Sequence, residues 1–183
     1  KLLNDKKEIA EHVMLIDLER NDLGKVCDYG TVAVNKFMDV EQYSHLLHLV
    51  TTISGRLQKE NDAFDAFLAL FPGGTVTGCP KKRTMEIIDE LEPVARGVYT
   101  GSIGFFCSDV KNKIIKDCFF SIIIRTLFLQ NVKKDLTAEK INDYYDAYLQ
   151  VGGGIVADSV AEREYDETIC KAKAFFEAFG KQK

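Results

Sequence analysis

Three glycines in a row, Gly152 to Gly154, open the stretch that most constrains this chain. With no Cβ at three successive positions, the backbone there can come close to a ligand. A short apolar run follows, then Asp158 and Ser159, residue types suited to capping a helix, and then a helical pattern. Glu164 and Glu167 stand three apart, so they share a face of that helix, and Lys171, four further on, extends it. Like charges side by side repel. The pair is therefore either a solvated acidic helix start favoured by the helix dipole or half of a site for Mg²⁺, which prefers carboxylate oxygens and water. A second pair at the same spacing, Glu8 and Glu11, shifts the balance toward the metal.

Composition narrows the class. The chain has 183 residues, 46% hydrophobic and 28% charged, with a formal net charge of −4. That leaves room for one domain with a sizeable core and argues against a primarily nucleic-acid-binding role. Five scattered cysteines (27, 79, 107, 118 and 170) form no CxxC pattern, which points to reduced thiols and a cytoplasmic setting. No apolar run is long enough to span a bilayer, and the amino end does not read as a signal peptide. That end opens on Lys-Leu-Leu-Asn-Asp without Met, the expected look of a fragment or a processed chain.

Taken in order, residues 4 to 22 read as a helix with Ile9, Val13, Met14 and Ile16 on its apolar face. His12 lies beside its acidic pair, and the helix should stop around residues 20 to 24. Residues 31 to 38 and 44 to 57 read as strands. The second carries His48 in an apolar setting, where a histidine is either a satisfied core residue or a catalyst. Residues 62 to 71 form a short amphipathic helix ended by Pro72-Gly73-Gly74. A glycine- and threonine-rich turn then leads to Pro80 and a helix through about Leu91, with Met85, Ile88 and Leu91 facing inward. Pro80 suits its first position. The free N–H groups at that helix start, with Lys81 nearby, favour an anion, although the spacing of a Walker loop is missing. Residues 98 to 107 read as a strand. Residues 117 to 130 are the most hydrophobic run and carry Arg125 in their middle. A guanidinium inside an apolar strand is costly unless an internal or a substrate carboxylate meets it. Residues 131 to 148 form a hairpin extension or a short helix, residues 148 to 157 a strand, and the last helix runs to about Phe179.

These pieces resemble the chorismate-binding enzyme family, which includes anthranilate synthase component I, aminodeoxychorismate synthase component I, and the isochorismate and salicylate synthases. The motifs that carry the resemblance are Lys7-Glu-Ile-Ala-Glu-His with Leu15-Ile-Asp-Leu-Glu-Arg-Asn-Asp-Leu-Gly, His48-Leu-Val-Thr-Thr-Ile-Ser-Gly, and Phe71-Pro-Gly-Gly-Thr-Val-Thr-Gly-Cys-Pro-Lys. Further on come Met85-Glu-Ile-Ile-Asp-Glu-Leu-Glu-Pro, Gly152-Gly-Gly-Ile-Val-Ala-Asp-Ser and Glu164-Tyr-Asp-Glu-Thr. The resemblance implies an α/β (α+β) fold of layered antiparallel sheets flanked by helices, with chorismate as substrate and Mg²⁺ as cofactor. It implies that Glu8, Glu11, Glu164 and Glu167 hold the metal, which binds the ring carboxylate. It assigns His48 to the active-site histidine, Thr75 to a substrate contact, and Tyr99 and Arg125 to the enolpyruvyl carboxylate. Gly152, Gly153 and Gly154 would line the same pocket, and Lys171 would stand near the metal-bound carboxylate.

Within the family, Phe71-Pro-Gly-Gly and Thr100-Gly-Ser-Ile-Gly-Phe look most like aminodeoxychorismate synthase component I. The implied reaction replaces the ring 4-hydroxyl of chorismate by an amino group, with ammonia from a glutamine amidotransferase partner, in folate synthesis. Anthranilate synthase, which yields anthranilate and pyruvate, is the nearest rival reading. The family's Pro-Ile-Lys-Gly-Thr type motif, whose lysine acts as the nucleophile in aminodeoxychorismate synthases, lies just upstream of the first Glu pair, and this chain begins after that point. Residues 1–183 are therefore expected to be the C-terminal part of one catalytic domain, inactive alone. A non-catalytic fragment that holds Mg²⁺ and a carboxylate, or docks an amidotransferase, is the reading from another class.

Overall fold

A computed structural model describes residues 6–42, 47–109, 114–134 and 143–179. The elements run in the order α1 (Lys6–Gly24), β1 (Ala33–Gln42), β2 (Leu47–Ser54), α2 (Ala63–Leu70), α3 (Gly74–Thr77), α4 (Lys81–Leu91), β3 (Ser102–Asp109), β4 (Ile114–Ile122), β5 (Leu127–Lys134), β6 (Asp143–Leu149) and α5 (Ala161–Ala178). Strands pair with their sequence neighbours as β1–β2, β3–β4 and β5–β6. The fold is the expected mixture of small antiparallel sheets and helices. It comprises two compact units, Lys1–Ala95 with Ser102–Ser121, and Arg96–Gly101 with Ile122–Lys183.

In the first unit, α1 buries Ile16 and Asp22, and the turn after it buries Val26 and Cys27. A bridge between Cys27 and Leu57 ties that turn to the segment after β2. The β1–β2 ladder is antiparallel with register shifts between Val34 and Asp39. Met38 sits in this irregular stretch at φ 53°, and its N–H donates to Thr51 Oγ1 at 3.0 Å. The same hydroxyl shares a 2.7 Å hydrogen bond with His12 Nε2, so the irregular strand and α1 are fastened at one atom. Helix α2 starts at a capping box, in which Asp62 accepts from the N–H groups of Phe64 and Asp65 while Asp65 accepts from the Asp62 N–H. Its Phe67 packs on Phe106 of β3 at 5.4 Å and on Phe120 of β4 at 4.3 Å between ring centroids. Aromatic packing of this kind adds to simple area burial.

In the second unit, β5 and β6 pair antiparallel from Leu127↔Leu149 to Lys134↔Asp143, so the hairpin alternative holds for this region; residues 135–142 lie outside the described residues. Helix α5 buries Ala172 and Glu164. The segment before β3 pairs with the segment after β4, because Thr100 N–H donates to the Ile123 carbonyl at 2.8 Å and Ile123 N–H to the Gly101 carbonyl at 2.9 Å.

Several expectations need correction. The apolar run from 117 to 130 is two strands, not one: the chain bends at residues 123–126, and Arg125 stands in the bend, exposed, at φ 50°. Its guanidinium is thus not enclosed by an apolar strand. Residues 98–100 form a turn rather than the start of a strand, with Thr100 at φ 62°. Residues 150–156 form no strand. Helix α1 does end at Gly24, inside the expected stop. Val13 and Met14 of its expected apolar face are exposed. Pro80 is the N-cap of α4 rather than its first helical residue, and the turn before it holds the single helical turn α3. Met85 and Leu91 do not pack inward; Leu91 is 76% exposed. Asp158 and Ser159 do not cap α5, whose N-cap is Val160, since the Ser159 hydroxyl is engaged elsewhere.

The charged groups at the end of α1 make a pH-dependent contribution. Burial pushes the Glu19 carboxyl up and the charge of Asp22 adds to this, against an opposing pull from Lys81. Burial also pushes Asp22 up, but hydrogen bonds and charge from Lys25 and Lys81 prevail and hold it below its usual value. Asp22 thus gives stability that is present above its ordinary pKa and lost as pH falls through its depressed one. Glu19 works the other way. Its contribution is fully present below its ordinary pKa and lost as pH rises through the raised value, so the ionised group at neutral pH favours unfolding. Glu19→Gln should therefore raise the melting temperature at pH 7, by about 2–4 °C per kcal/mol gained in a chain of this size. The gain should shrink below about pH 4. Thermal melts followed by circular dichroism at both pH values check this, and a variant that melts lower than the parent at pH 7 contradicts it.

Candidate active site

The second unit gathers most of the residues expected to meet substrate. Lys171 on α5 donates to the Gly152 carbonyl at 3.0 Å and pairs with Glu167, one turn back, at 2.7 Å. Glu164, on the same helix face, is 7% exposed. Ser159 donates to its Oε1 at 2.7 Å, while Ser159 Oγ accepts the Val156 N–H at 3.1 Å. A Cβ built on Gly153 would stand 3.8 Å from Glu164 Oε2 and 3.9 Å from Lys171 Nζ. The glycine run therefore lies along the acidic and basic face of α5.

The three glycines differ in what they require. A Cβ on Gly152 would stand 2.5 Å from Tyr99 Oη, whereas nothing lies within 4 Å of one on Gly154. Gly152 is thus a glycine because Tyr99 is already there. Tyr99 lies in a turn whose neighbours Thr100 and Gly101 bond to Ile123, two residues before Arg125. A phenol hydroxyl, a backbone carbonyl and an ammonium are therefore placed together, with a guanidinium two residues from the bonded strip.

The first unit carries the other candidates. Glu8 and Glu11 stand three apart on α1, and Glu11 is half-buried. Thr75 is the second residue of α3, which packs on α1. Of the two hydroxyls on that turn, Thr77 Oγ1 donates to the Gly73 carbonyl at 3.0 Å, while Thr75 Oγ1 has no hydrogen-bond partner among the described residues. His48 lies on β2, paired in register with Glu41. The side chains of Glu8 and His48 lie outside the described residues. Among those described, no three His, Cys, Asp or Glu side chains are gathered as metal ligands. The donor chemistry on α5 nevertheless suits Mg²⁺: Glu164 and Glu167 present carboxylate oxygens on one helix face, and Glu164 is largely out of solvent.

Two contributors escaped the sequence reading. Arg96 lies over the Tyr99 ring, 5.8 Å from its centroid, and donates to Thr100 Oγ1 at 3.2 Å. No spacing marks it. Ser159 reads in sequence as a helix cap; its five-residue separation from Glu164 is the one available signal of its other use.

The family of chorismate binding enzymes matches residues 1–177. The chain belongs to the chorismate-binding enzyme family. It is 50% identical over 173 residues to aminodeoxychorismate synthase component 1 of Bacillus subtilis, covering 94% of this chain and 33% of that protein. It is 49% identical over 177 residues to anthranilate synthase component 1 of Acetivibrio thermocellus, covering 97% and 32%. Among solved structures it is similar to anthranilate synthase component I from Streptococcus pneumoniae TIGR4, with a TM-score of 0.73, 42% identity, and 94% and 35% of the two chains covered. A putative isochorismate synthase from Bacillus anthracis matches with a TM-score of 0.73 and 26% identity over 99% and 43%. The chain thus spans about a third of the length of the curated relatives it matches.

For this member of the family the close approach of Gly152 and Tyr99 predicts a specific rescue. Gly152→Ala should cost about 1–3 kcal/mol, as overpacking does. Adding Tyr99→Phe removes the atom that the new methyl meets and should restore part of the loss. Denaturant unfolding of both variants checks this, and a Tyr99→Phe effect that simply adds to the first contradicts it.

Proposed function

We propose that this chain contributes the chorismate-binding part of an aminodeoxychorismate synthase component I, which aminates chorismate to 4-amino-4-deoxychorismate for folate synthesis. The observation that carries the reading is the cluster of Tyr99, Gly152, Lys171, Glu164 and Glu167 in the second unit. It pairs groups that hold a carboxylate with an acidic helix face suited to a hard cation. Phe71-Pro-Gly-Gly and Thr100-Gly-Ser-Ile-Gly-Phe favour the aminodeoxychorismate reaction over the anthranilate one. The relatives support both, since they stand at 50% and 49% identity.

In this reading Arg125 and Tyr99 bind the enolpyruvyl carboxylate. The exposed bend leaves the Arg125 guanidinium free to make a bidentate contact. Thr75 uses its hydroxyl on the substrate, and His48 serves as the active-site histidine. Gly152, Gly153 and Gly154 bring backbone to the pocket wall. Lys171, fixed by Glu167 and the Gly152 carbonyl, stands beside the ring carboxylate. Glu8, Glu11, Glu164 and Glu167 would hold Mg²⁺, which would supply positive charge to offset that carboxylate and favour loss of the ring hydroxyl. Fixing both ends of the substrate converts the attack of ammonia into a reaction between held partners. Ammonia comes from a glutamine amidotransferase partner. All five cysteines are free thiols, in keeping with a cytoplasmic enzyme, and no helix among the described residues is long and apolar enough to cross a membrane.

The test is turnover of chorismate with Mg²⁺ and ammonium by the complete protein, with the products separated. 4-Amino-4-deoxychorismate is the expected product. Anthranilate with pyruvate would move the protein to the rival reaction, which the similarity to anthranilate synthases already supports. No turnover, with chorismate binding intact, would leave the non-catalytic reading.

A further inference from the structure

The carboxylate of Asp22 has no part in the chemistry proposed above, yet it pairs with one end of the turn that carries Thr75 and lies close beside the other. Asp22 is 2% exposed. Its Oδ1 accepts from Lys25 Nζ at 2.7 Å and its Oδ2 pairs with Lys81 Nζ at 2.8 Å. Lys25 is its neighbour in sequence, but Lys81 is the first residue of α4. A cation there meets the positive end of the helix dipole, a cost that the Asp22 carboxylate offsets. At the other end of the turn, Gly74 is buried against α1. A Cβ on it would stand 3.1 Å from Leu18 Cβ and 3.4 Å from Asp22 Oδ2. Between these two anchors lie α3 and Gly78, whose φ of 110° makes the reversal into α4. Thr75 directly follows the Gly74 anchor.

We propose that Asp22 and Lys81 are positioning residues for Thr75: their buried ion pair, with the Gly74 contact, holds residues 74–81 against α1 and so sets where the Thr75 hydroxyl is presented. The inference rests on the reading of Thr75 as a substrate contact. A pair that served only stability would pull α4 and α1 together without affecting what Thr75 does. Here the two anchors bracket a segment of eight residues that contains one hydroxyl used internally, on Thr77, and one left over, on Thr75.

The test is a double-mutant cycle on the complete protein, read as kcat and KM for chorismate with Mg²⁺ and ammonium. Lys81→Met should lower kcat/KM by about 10²-fold, the scale of an ångström of misplacement. Lys81→Arg, which keeps the charge, should recover most of it. Thr75→Ala should lower kcat/KM comparably, and the double variant should fall no further than Thr75→Ala, because both changes remove one contact. Gly74→Ala perturbs the other anchor without touching a charge, and should show the same dependence on Thr75 where Lys81→Met fails to fold. Losses that multiply in the double variant overturn the proposal, as does an impaired Thr75→Ala beside an unimpaired Lys81→Met. An unimpaired Thr75→Ala instead removes the substrate-contact reading of Thr75, and the proposal with it.

Discussion

A carboxylate taken out of water must find cations, and in the first unit that requirement falls on Asp22. The long helix α1 ends beside the turn to β1; α3 packs on it, and Lys81 at the start of α4 pairs with its Asp22. If Lys81 drifts from Asp22, a nearly enclosed carboxylate is left with the half-exposed Lys25 alone, and a buried charge short of a cation is costly. Glu19, one turn earlier on α1, is disfavoured in its ionised form by the same burial and by Asp22 itself. The cluster is thus tuned rather than neutral: two lysines stabilise one acid and leave the second in tension.

The second unit repeats the theme with a different solution. Glu164 is buried at the start of α5, and the Ser159 hydroxyl donates to it. Lys171 is engaged by Glu167 and the Gly152 carbonyl. Tyr99, packed against Gly152 and covered by Arg96, puts a phenol beside the same glycine run.

Much of this was legible in the chain. The acidic spacings at Glu8 and Glu11 and at Glu164 and Glu167, the short helix after residue 62, the glycine run and α5 all carry local signals that need no knowledge of distant contacts. The break between β4 and β5 was not legible, because Ile123, Ile124, Arg125 and Thr126 contain none of the residues that punctuate a strand. The positive φ of Arg125 comes from tertiary pairing of the neighbouring Ile123 with Gly101. Asp22 with Lys81 was invisible for a related reason. Each looks like an ordinary surface charge, and only a fold that brings residues 22 and 81 together turns them into a buried pair. Ser159 was misjudged because two uses of one hydroxyl, capping and holding Glu164, look alike in sequence.

The most direct measurement is a calorimetric titration of chorismate into the complete protein with and without Mg²⁺, repeated on Glu164→Gln. If the carboxylates of α5 serve a metal that meets the substrate, chorismate should bind only with Mg²⁺. Glu164→Gln should then weaken the dependence on Mg²⁺ by 10-fold or more, about the loss seen when support for a metal site is removed. Chorismate binding of equal strength with and without Mg²⁺, unchanged in Glu164→Gln, would contradict the account at its centre.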